Sequence, residues 1–127
     1  MVAIGLRAPA ARADVFRILA ADRAALQARI NLIRQAQYEL DAAYYSADSG
    51  RVSILVLSQL CDAARRGVCV RLLIDGLANR IPSSVEAYLV SEGVQVRKYN
   101  PVTLSRLGQL NRRLHDKLLI VDGSQMI

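Results

Sequence analysis

Several features are scarce in this 127-residue chain, and each scarcity excludes a class of protein. No apolar run approaches the ~20 residues that a membrane-spanning helix needs, so no transmembrane segment is expected. Residues 1–12 mix Ala, Pro and Arg without an apolar core, so no signal peptide is expected. The two cysteines, Cys61 and Cys69, fall on a predicted helix and on the strand after it. We expect them to be reduced apolar residues, and a zinc site is not supported.

The basic residues are unusual in kind, because 15 of the 17 are arginine and the chain has two lysines and one histidine. The net charge of +6 favours an anionic partner, such as lipid headgroups, nucleic acid or a phosphorylated ligand. A basic, soluble surface is the alternative, and charge alone does not reject it. Between positions 97 and 117, one acidic residue, Asp116, stands among six basic ones: Arg97, Lys98, Arg106, Arg112, Arg113 and Lys117.

The composition is that of one compact domain. Hydrophobic residues make up 53% of the chain and the mean hydropathy is +0.20, which is enough apolar surface for a real core. Apolar periodicity predicts helices over residues 22–37, 52–66 and 83–91 and strands over 39–46, 68–74, 94–99 and 114–121, with a weaker edge strand over 15–19. Strands that alternate with helices predict an α/β fold, with a mainly parallel or mixed β-sheet flanked by helices on both faces.

Local signals predict the ends and faces of these elements. Asp22 is the expected N-cap of the first helix, and Ser83 with Glu86 forms an expected capping box for the third. Gly67 and Gly93 are the expected left-handed stops of the second and third helices. The strand over 68–74 is nearly all apolar, which predicts cover on both of its faces. The expected inner face of the second helix consists of Ile54, Leu57, Cys61 and Ala64.

Three places in the chain have both a functional and a structural interpretation. Asp75 follows a buried strand, where ligands of parallel sheets usually bind, but it could equally cap the next turn. Tyr44 and Tyr45 could line a ligand site or, as we favour, pack within the sheet. Residues 101–113 are interpreted as an anion-binding lid, with a solvated connection as the alternative.

The segment 114–124 carries the most specific chemical signal. It holds the single histidine, His115, and Lys117 two residues later, and on a strand two such side chains project to the same face. An imidazole beside an ammonium group suits phosphate chemistry, because one group can attack phosphorus while the other holds the anion. Asp122, seven residues after His115, is expected at the strand end or in the turn, where it would support the motif by hydrogen bonds.

The spacing His-x-Lys-x4-Asp, formed by His115, Lys117 and Asp122, resembles the signature of the phospholipase D superfamily, whose active sites use two such motifs. The resemblance implies that His115 acts as nucleophile or acid through a phosphohistidine intermediate, and that Lys117 stabilises charge on the non-bridging oxygens. It implies no cofactor and no metal. The site residues that it implies are His115, Lys117 and Asp122 as catalytic residues and Arg112, Arg113 and Ser124 as phosphate- or anion-binding residues.

The resemblance extends over most of the chain. Residues 60–75 look like the helix-to-strand passage before the family's first motif, and Tyr44-Tyr45 with Asp48 and Gly50 resembles the stretch that precedes it. Residues 96–101 and 110–115 look most like bacterial cardiolipin synthase-type members. Those members transfer a phosphatidyl group from one phospholipid to the headgroup of another.

Two departures from the family pattern bear on the function. The chain holds one motif where the family uses two, and it stops before the glycine-serine and asparagine positions that normally follow the first motif. We therefore expect residues 14–127 to be the first phospholipase D-like repeat, behind a flexible leader at 1–13. The complete site is expected to need a second repeat or a homodimer partner, so that this chain alone is inactive or weak.

These expectations leave three hypotheses for the function. The first is phosphatidyl transfer or phospholipid hydrolysis on an anionic phospholipid, in a bacterial protein that is cytoplasmic or peripheral at the inner membrane. The second is a phospholipase D-type endonuclease that acts as a homodimer, in which the arginines of residues 97–113 follow nucleic-acid phosphates. The third is a phosphate-binding module without catalysis.

Overall fold

The computed structural model describes residues 17–44, 50–109 and 111–127 of the chain. Its helices are α1 (Asp22–Gln35), α2 (Arg51–Arg65) and α3 (Ser83–Ser91). Its strands are β1 (Glu39–Tyr44), β2 (Cys69–Asp75), β3 (Gln95–Tyr99), β4 (Lys117–Val121) and β5 (Gln125–Met126). A 3₁₀ helix, Leu104–Gln109, lies between β3 and β4.

The strands form one mixed sheet in the order β3-β2-β1-β4-β5. The helical crossovers α2 and α3 make β1, β2 and β3 parallel, as connections of this length allow. Strand β4 then reverses direction and pairs with the free edge of β1, and β5 folds back on β4. The predicted α/β class with a mixed sheet is confirmed. Because β4 is antiparallel to β1, its first residue, Lys117, pairs with the last residue of β1, Tyr44.

The core lies between one face of the sheet and the helices. Alternate strand residues that point to this face are buried, and they join the buried residues of all three helices in one cluster. On the other face of β2, Leu73 is half-buried, and the exposed Arg71 pairs with Glu39 and Asp41 of β1. Within the described residues, β2 therefore alternates between buried and more exposed positions, and the expected cover on both of its faces is not seen.

Several predicted helix ends are confirmed and others are wrong. Gly67 and Gly93 both have φ of +93° and end α2 and α3 as predicted. The N-cap of α1 is Ala21 rather than Asp22, and the N-cap of α3 is Pro82 rather than Ser83. Neither cap residue makes a side-chain hydrogen bond to its helix. The glutamate of the expected capping box, Glu86, instead pairs with Lys98 of β3 (Oε2 to Nζ, 2.8 Å).

The buried face of α2 differs from the predicted one by a rotation of part of a turn. Leu57 and Cys61 are buried as predicted, whereas Ile54 is 42% exposed and Ala64 is half-buried. Residues 54–57 of α2 are all apolar, and such a run does not by itself show which side of the helix faces the sheet. The residues of α2 that are buried are Val56, Leu57, Leu60, Cys61 and Ala63.

Some predictions fall on residues 1–16 and 45–49, which lie outside the described part of the chain. They concern the leader at 1–13, the first two residues of the weak edge strand, and Tyr45 and Asp48. The rest of the predicted edge strand, residues 17–19, is described and is not a strand, so that prediction is wrong there. No helix in the described ranges is long and apolar enough to cross a membrane.

Gly76, directly after β2, allows the chain to pass close to residue 101. A Cβ atom at position 76 would lie 2.6 Å from the Cα of Pro101 and 2.9 Å from the carbonyl oxygen of Asn100. We expect Gly76→Ala to lower the free energy of unfolding by about 1–3 kcal/mol, because the crowded backbone must move. Urea denaturation followed by circular dichroism measures this change.

Gly108→Ala is the matched control for the Gly76 substitution. A Cβ atom at position 108 has no described atom within 4 Å, and the glycine has no positive φ. We expect its unfolding free energy to stay within about 0.5 kcal/mol of the wild-type value. Equal stabilities of the two variants would contradict the close approach seen at Gly76.

Candidate active site

The motif residues lie at one end of the sheet, where β1 ends and β4 begins. Lys117 is the first residue of β4, and His115 lies two residues earlier in a segment, 112–116, without helix or strand. The motif strand is thus shorter than predicted, because β4 does not include His115. Both side chains are exposed, so neither is sealed in the core and both are open to a substrate.

The approach to His115 is fixed by the carboxylate of Asp75, the last residue of β2. Asp75 is fully buried and accepts hydrogen bonds from the backbone N–H groups of Leu77 and Ala78, both at 2.8 Å. It also accepts from the backbone N–H of Leu114 at 3.0 Å and from Nη1 of Arg113 at 3.1 Å. Asp75 therefore caps the turn after β2 and also holds the residue that precedes the histidine.

The hydrogen bonds also keep this buried carboxylate ionised. Burial alone would raise the pKa of Asp75, but the bonds from the N–H groups of Ala78, Leu114 and Leu77 and from Arg113 outweigh it. The net effect lowers the pKa of Asp75 to about 2. The carboxylate is therefore charged, and its ion pair with Arg113 intact, at any pH near neutrality.

Arg113 pairs with Asp75, which gives it a structural role, and the anion-binding role expected for it stays a prediction. Its side chain is 8% exposed and its guanidinium is paired with Asp75, so it is not open to a substrate phosphate. Its Nε and Nη2 atoms are buried and have no hydrogen-bond partner among the described residues. Its neighbour Arg112 is exposed, which leaves Arg112 as the predicted anion-binding arginine that a ligand can reach.

The loop before the motif is tied back to the end of β3 by Asn100. This residue has a φ of +43°, and its Nδ2 donates hydrogen bonds to the backbone oxygens of Gln109 (2.7 Å) and Arg112 (2.9 Å). Asparagine tolerates this left-handed backbone better than most residues. Within the predicted lid, residues 104–109 form a 3₁₀ helix, and binding of an anion by the lid stays a prediction.

Asp122 supports the motif strand from its far end. Its carboxylate accepts hydrogen bonds from the backbone N–H groups of Gln37 (3.0 Å), Tyr38 (2.8 Å) and Glu39 (3.0 Å). The bonds from Glu39 and Tyr38 contribute most to lowering its pKa. This matches the predicted support by hydrogen bonds in the turn.

That position also separates Asp122 from His115 and Lys117. Asp122 and Lys117 are five residues apart along β4, which corresponds to roughly 17 Å in a strand. Ser124 lies in the same turn as Asp122, so the structure does not bring it to the His115–Lys117 end of the strand. Binding of an anion by Ser124 stays a prediction.

Sequence reasoning gave Asp75 two interpretations and missed Asn100. The available signals were a carboxylate directly after an apolar strand and an Asn-Pro pair directly after the next strand. Across the described ranges, no group of three or more His, Cys, Asp or Glu side chains is placed to hold a metal ion.

Asp75→Asn tests the role of the buried carboxylate in stability. The substitution keeps the shape but removes the charge that balances Arg113, and we expect the unfolding free energy at pH 7 to fall by roughly 3–5 kcal/mol. In the wild type, the contribution of Asp75 is present above its unfolded pKa of about 3.9 and is lost as the pH falls towards about 2. Urea denaturation at a series of pH values should show this loss in the wild type and not in the variant.

Asp62→Asn is the matched control, since Asp62 is a half-exposed carboxylate paired with Arg65 on α2. We expect a change of about 0.5 kcal/mol or less, as for other surface ion pairs. An Asp75→Asn variant no less stable than Asp62→Asn would contradict the role assigned to Asp75.

Comparison with known proteins agrees with this geometry. The family model described as cardiolipin synthase, PLD-like domain matches residues 29–127, which contain every strand of the sheet and the whole motif. Cardiolipin synthase C of Escherichia coli is 34% identical over 111 residues, covering 78% of this chain and 23% of that protein. Cardiolipin synthase 1 of Bacillus cereus is 30% identical over 96 residues, covering 74% of this chain and 19% of that protein.

A solved structure shares the fold. The phospholipase D family member Nuc from Salmonella typhimurium superposes with a TM-score of 0.55 at 22% identity, covering 76% of this chain and 56% of Nuc. This chain therefore spans about a quarter or less of the length of the curated relatives it matches and about half of Nuc. The family match over residues 29–127, together with the sheet topology, shows that the chain belongs to the PLD-like domain family of cardiolipin synthase.

Proposed function

We propose that this chain supplies one half of an active site that transfers or hydrolyses the phosphatidyl group of a phospholipid, with His115 as the nucleophile. The observation that supports this most is the exposure of His115 and Lys117 at one end of the sheet. The residue before His115, Leu114, is held there by its hydrogen bond to Asp75. Membership of the PLD-like domain family supports the choice of a phosphodiester as the reacting group.

In the first proposed step, a neutral imidazole nitrogen of His115 attacks phosphorus. A P–N bond forms, the P–O bond to the leaving alcohol breaks, and a second histidine protonates that alcohol. The ammonium group of Lys117 stabilises the negative charge on the non-bridging oxygens, and the exposed guanidinium of Arg112 adds to the positive field. The product is a phosphatidyl group bound covalently to His115.

In the second proposed step, the second histidine takes a proton from an acceptor hydroxyl. The acceptor oxygen attacks phosphorus, and the P–N bond to His115 breaks. A lipid headgroup alcohol as the acceptor gives phosphatidyl transfer, whereas water gives hydrolysis. Exclusion of water near the phosphorus would therefore decide between the two outcomes.

The second histidine must come from outside this sequence, since His115 is its single histidine. We propose that it belongs to a second motif, either in another repeat of the same polypeptide or in a second copy related by a two-fold axis. The lengths of the cardiolipin synthase relatives are consistent with another repeat. The proposed location is the cytoplasm or the inner surface of a bacterial inner membrane, which the chain contacts without spanning it.

A nuclease acting as a homodimer is the second candidate function. The exposed Arg97 and Arg112 and the net charge of +6 are the observations that favour it, because nucleic-acid backbones bind such surfaces. The likeness to Nuc concerns the fold. Cleavage of a single-stranded oligonucleotide in the absence of any reaction with phospholipid would select this candidate, and phosphate binding without turnover would select a non-catalytic module.

Trapping of the covalent intermediate tests the nucleophile. The protein with its complete pair of motifs is mixed with phosphatidylglycerol labelled at phosphorus and quenched in denaturant. We expect label on the wild type and none on His115→Asn, because the amide cannot form a stable P–N bond at this position. Label that persists in His115→Asn would show that His115 is not the nucleophile.

The two lysines of the chain provide a matched pair for the charge-stabilising role. We expect Lys117→Ala to lower kcat by about 10²–10³-fold, as for the loss of one group that stabilises an oxyanion. Lys98 lies on β3, away from Lys117, and pairs with Glu86 of α3. Lys98→Ala should therefore keep kcat within about twofold of the wild-type value. Equal losses in the two variants, measured by release of labelled headgroup, would contradict the role of Lys117.

A further inference from the structure

A pocket of about 290 Å³ opens beside Lys117, between α1 and α2 and the adjoining ends of β1 and β4. Its volume equals that of about ten water molecules, at the lower limit for a small-molecule site. Its floor includes Leu57 and Leu72, and Leu72 is 1% exposed, so the pocket reaches the core of the domain. Ala25 and Leu26 of α1 and Val56 of α2 form apolar walls.

The polar groups of this pocket favour an anion at its mouth. Lys117 and Arg29 are its two cations and Asp22 of α1 is its one anion, which leaves a net positive charge. Tyr44 also lines the pocket; its hydroxyl is buried and lies near the guanidinium of Arg29, but no hydrogen bond of normal geometry joins it to a described residue. The hydroxyl can therefore still donate a hydrogen bond to an oxygen of a bound group.

We propose that this pocket binds the apolar part of the diester whose phosphate lies on Lys117: the ester-linked start of an acyl chain of a monomeric phospholipid. The proposal rests on the proposed function, since both use Lys117. A short apolar segment fills the space between Leu26, Val56 and Leu57, and the hydroxyl of Tyr44 donates to an ester oxygen.

The same lining disfavours a nucleotide as the occupant. Bases next to a phosphodiester bind by stacking on aromatic faces and by hydrogen bonds to their edges. Tyr44 is the one aromatic residue among those that line the described pocket, and its hydroxyl is buried at the end of the central strand β1. Aliphatic side chains form most of the wall, and they suit an acyl chain.

Binding of a short-chain lipid to the 127-residue chain tests the proposal. Dihexanoylphosphatidylglycerol is titrated below its critical micelle concentration and followed by amide chemical shifts in NMR spectra. We expect saturable binding with shifts at residues of the pocket. Ala25→Leu places an isobutyl group into the pocket while keeping a strong helix former, and it should raise Kd by about tenfold or more. Tyr44→Phe should also raise Kd, through the loss of the hydroxyl.

Ala87→Leu is the matched control, because Ala87 is an exposed helical residue on α3, away from the pocket. Its Kd should stay within about twofold of the wild-type value. Inorganic phosphate and the dinucleotide thymidylyl-thymidine form the other two arms of the titration. We expect both to bind more weakly than the lipid, to lose affinity in Lys117→Ala, and to be unaffected by Ala25→Leu.

The outcomes separate this proposal from the proposed function. Absence of saturable lipid binding, equal Kd values for Ala25→Leu and Ala87→Leu, or an equal effect of Ala25→Leu on the dinucleotide would each overturn the pocket as an acyl site. Label on His115 in the presence of any of these results leaves the phosphohistidine chemistry standing. Conversely, lipid binding that Ala25→Leu abolishes, without label on His115, supports the pocket and removes the proposed reaction.

Discussion

The buried carboxylate of Asp75 is the constraint on which the geometry of the motif depends. It lies at the end of β2, yet two of its hydrogen-bond donors, Arg113 and Leu114, belong to the segment that leads into β4. That segment, residues 112–116, contains His115 and has no helix or strand to fix it. Its position therefore depends on these bonds and on those made by Asn100. A single charged group thus joins the end of β2 to the segment that contains His115 and leads into β4.

The sheet topology explains why Lys117, and His115 just before it, lie at the end of the sheet where β1 ends. Reversal of β4 brings its first residue next to the last residue of β1, at the end of the sheet where β1 and β2 also terminate. Parallel α/β sheets bind ligands beyond this edge, since the helices leave it uncovered. The pocket beside Lys117 extends from the same end of the sheet into the core, so a cation and an apolar cavity lie next to each other in one domain.

The fold class was predictable because apolar periodicity and the glycine stops Gly67 and Gly93 depend on local sequence. The N-caps were not, because the caps of α1 and α3 lack side-chain bonds and depend on where the chain enters each helix. The ion pair between Arg113 and Asp75 was not predictable for a different reason. Its partner lies 38 residues earlier in the chain, and an arginine pattern does not distinguish a buried ion pair from an exposed anion site.

Two carboxylates fix the two ends of the stretch 114–122: Asp75 binds the N–H of Leu114, and Asp122 binds backbone N–H groups of residues 37–39. Hydrogen bonds lower the pKa of both carboxylates. Neither titrates in the range between about pH 5 and 8, where histidine changes its charge. The frame around the site therefore keeps one electrostatic state across that range. A change of pH within that range therefore leaves the charges of these two supporting carboxylates unchanged.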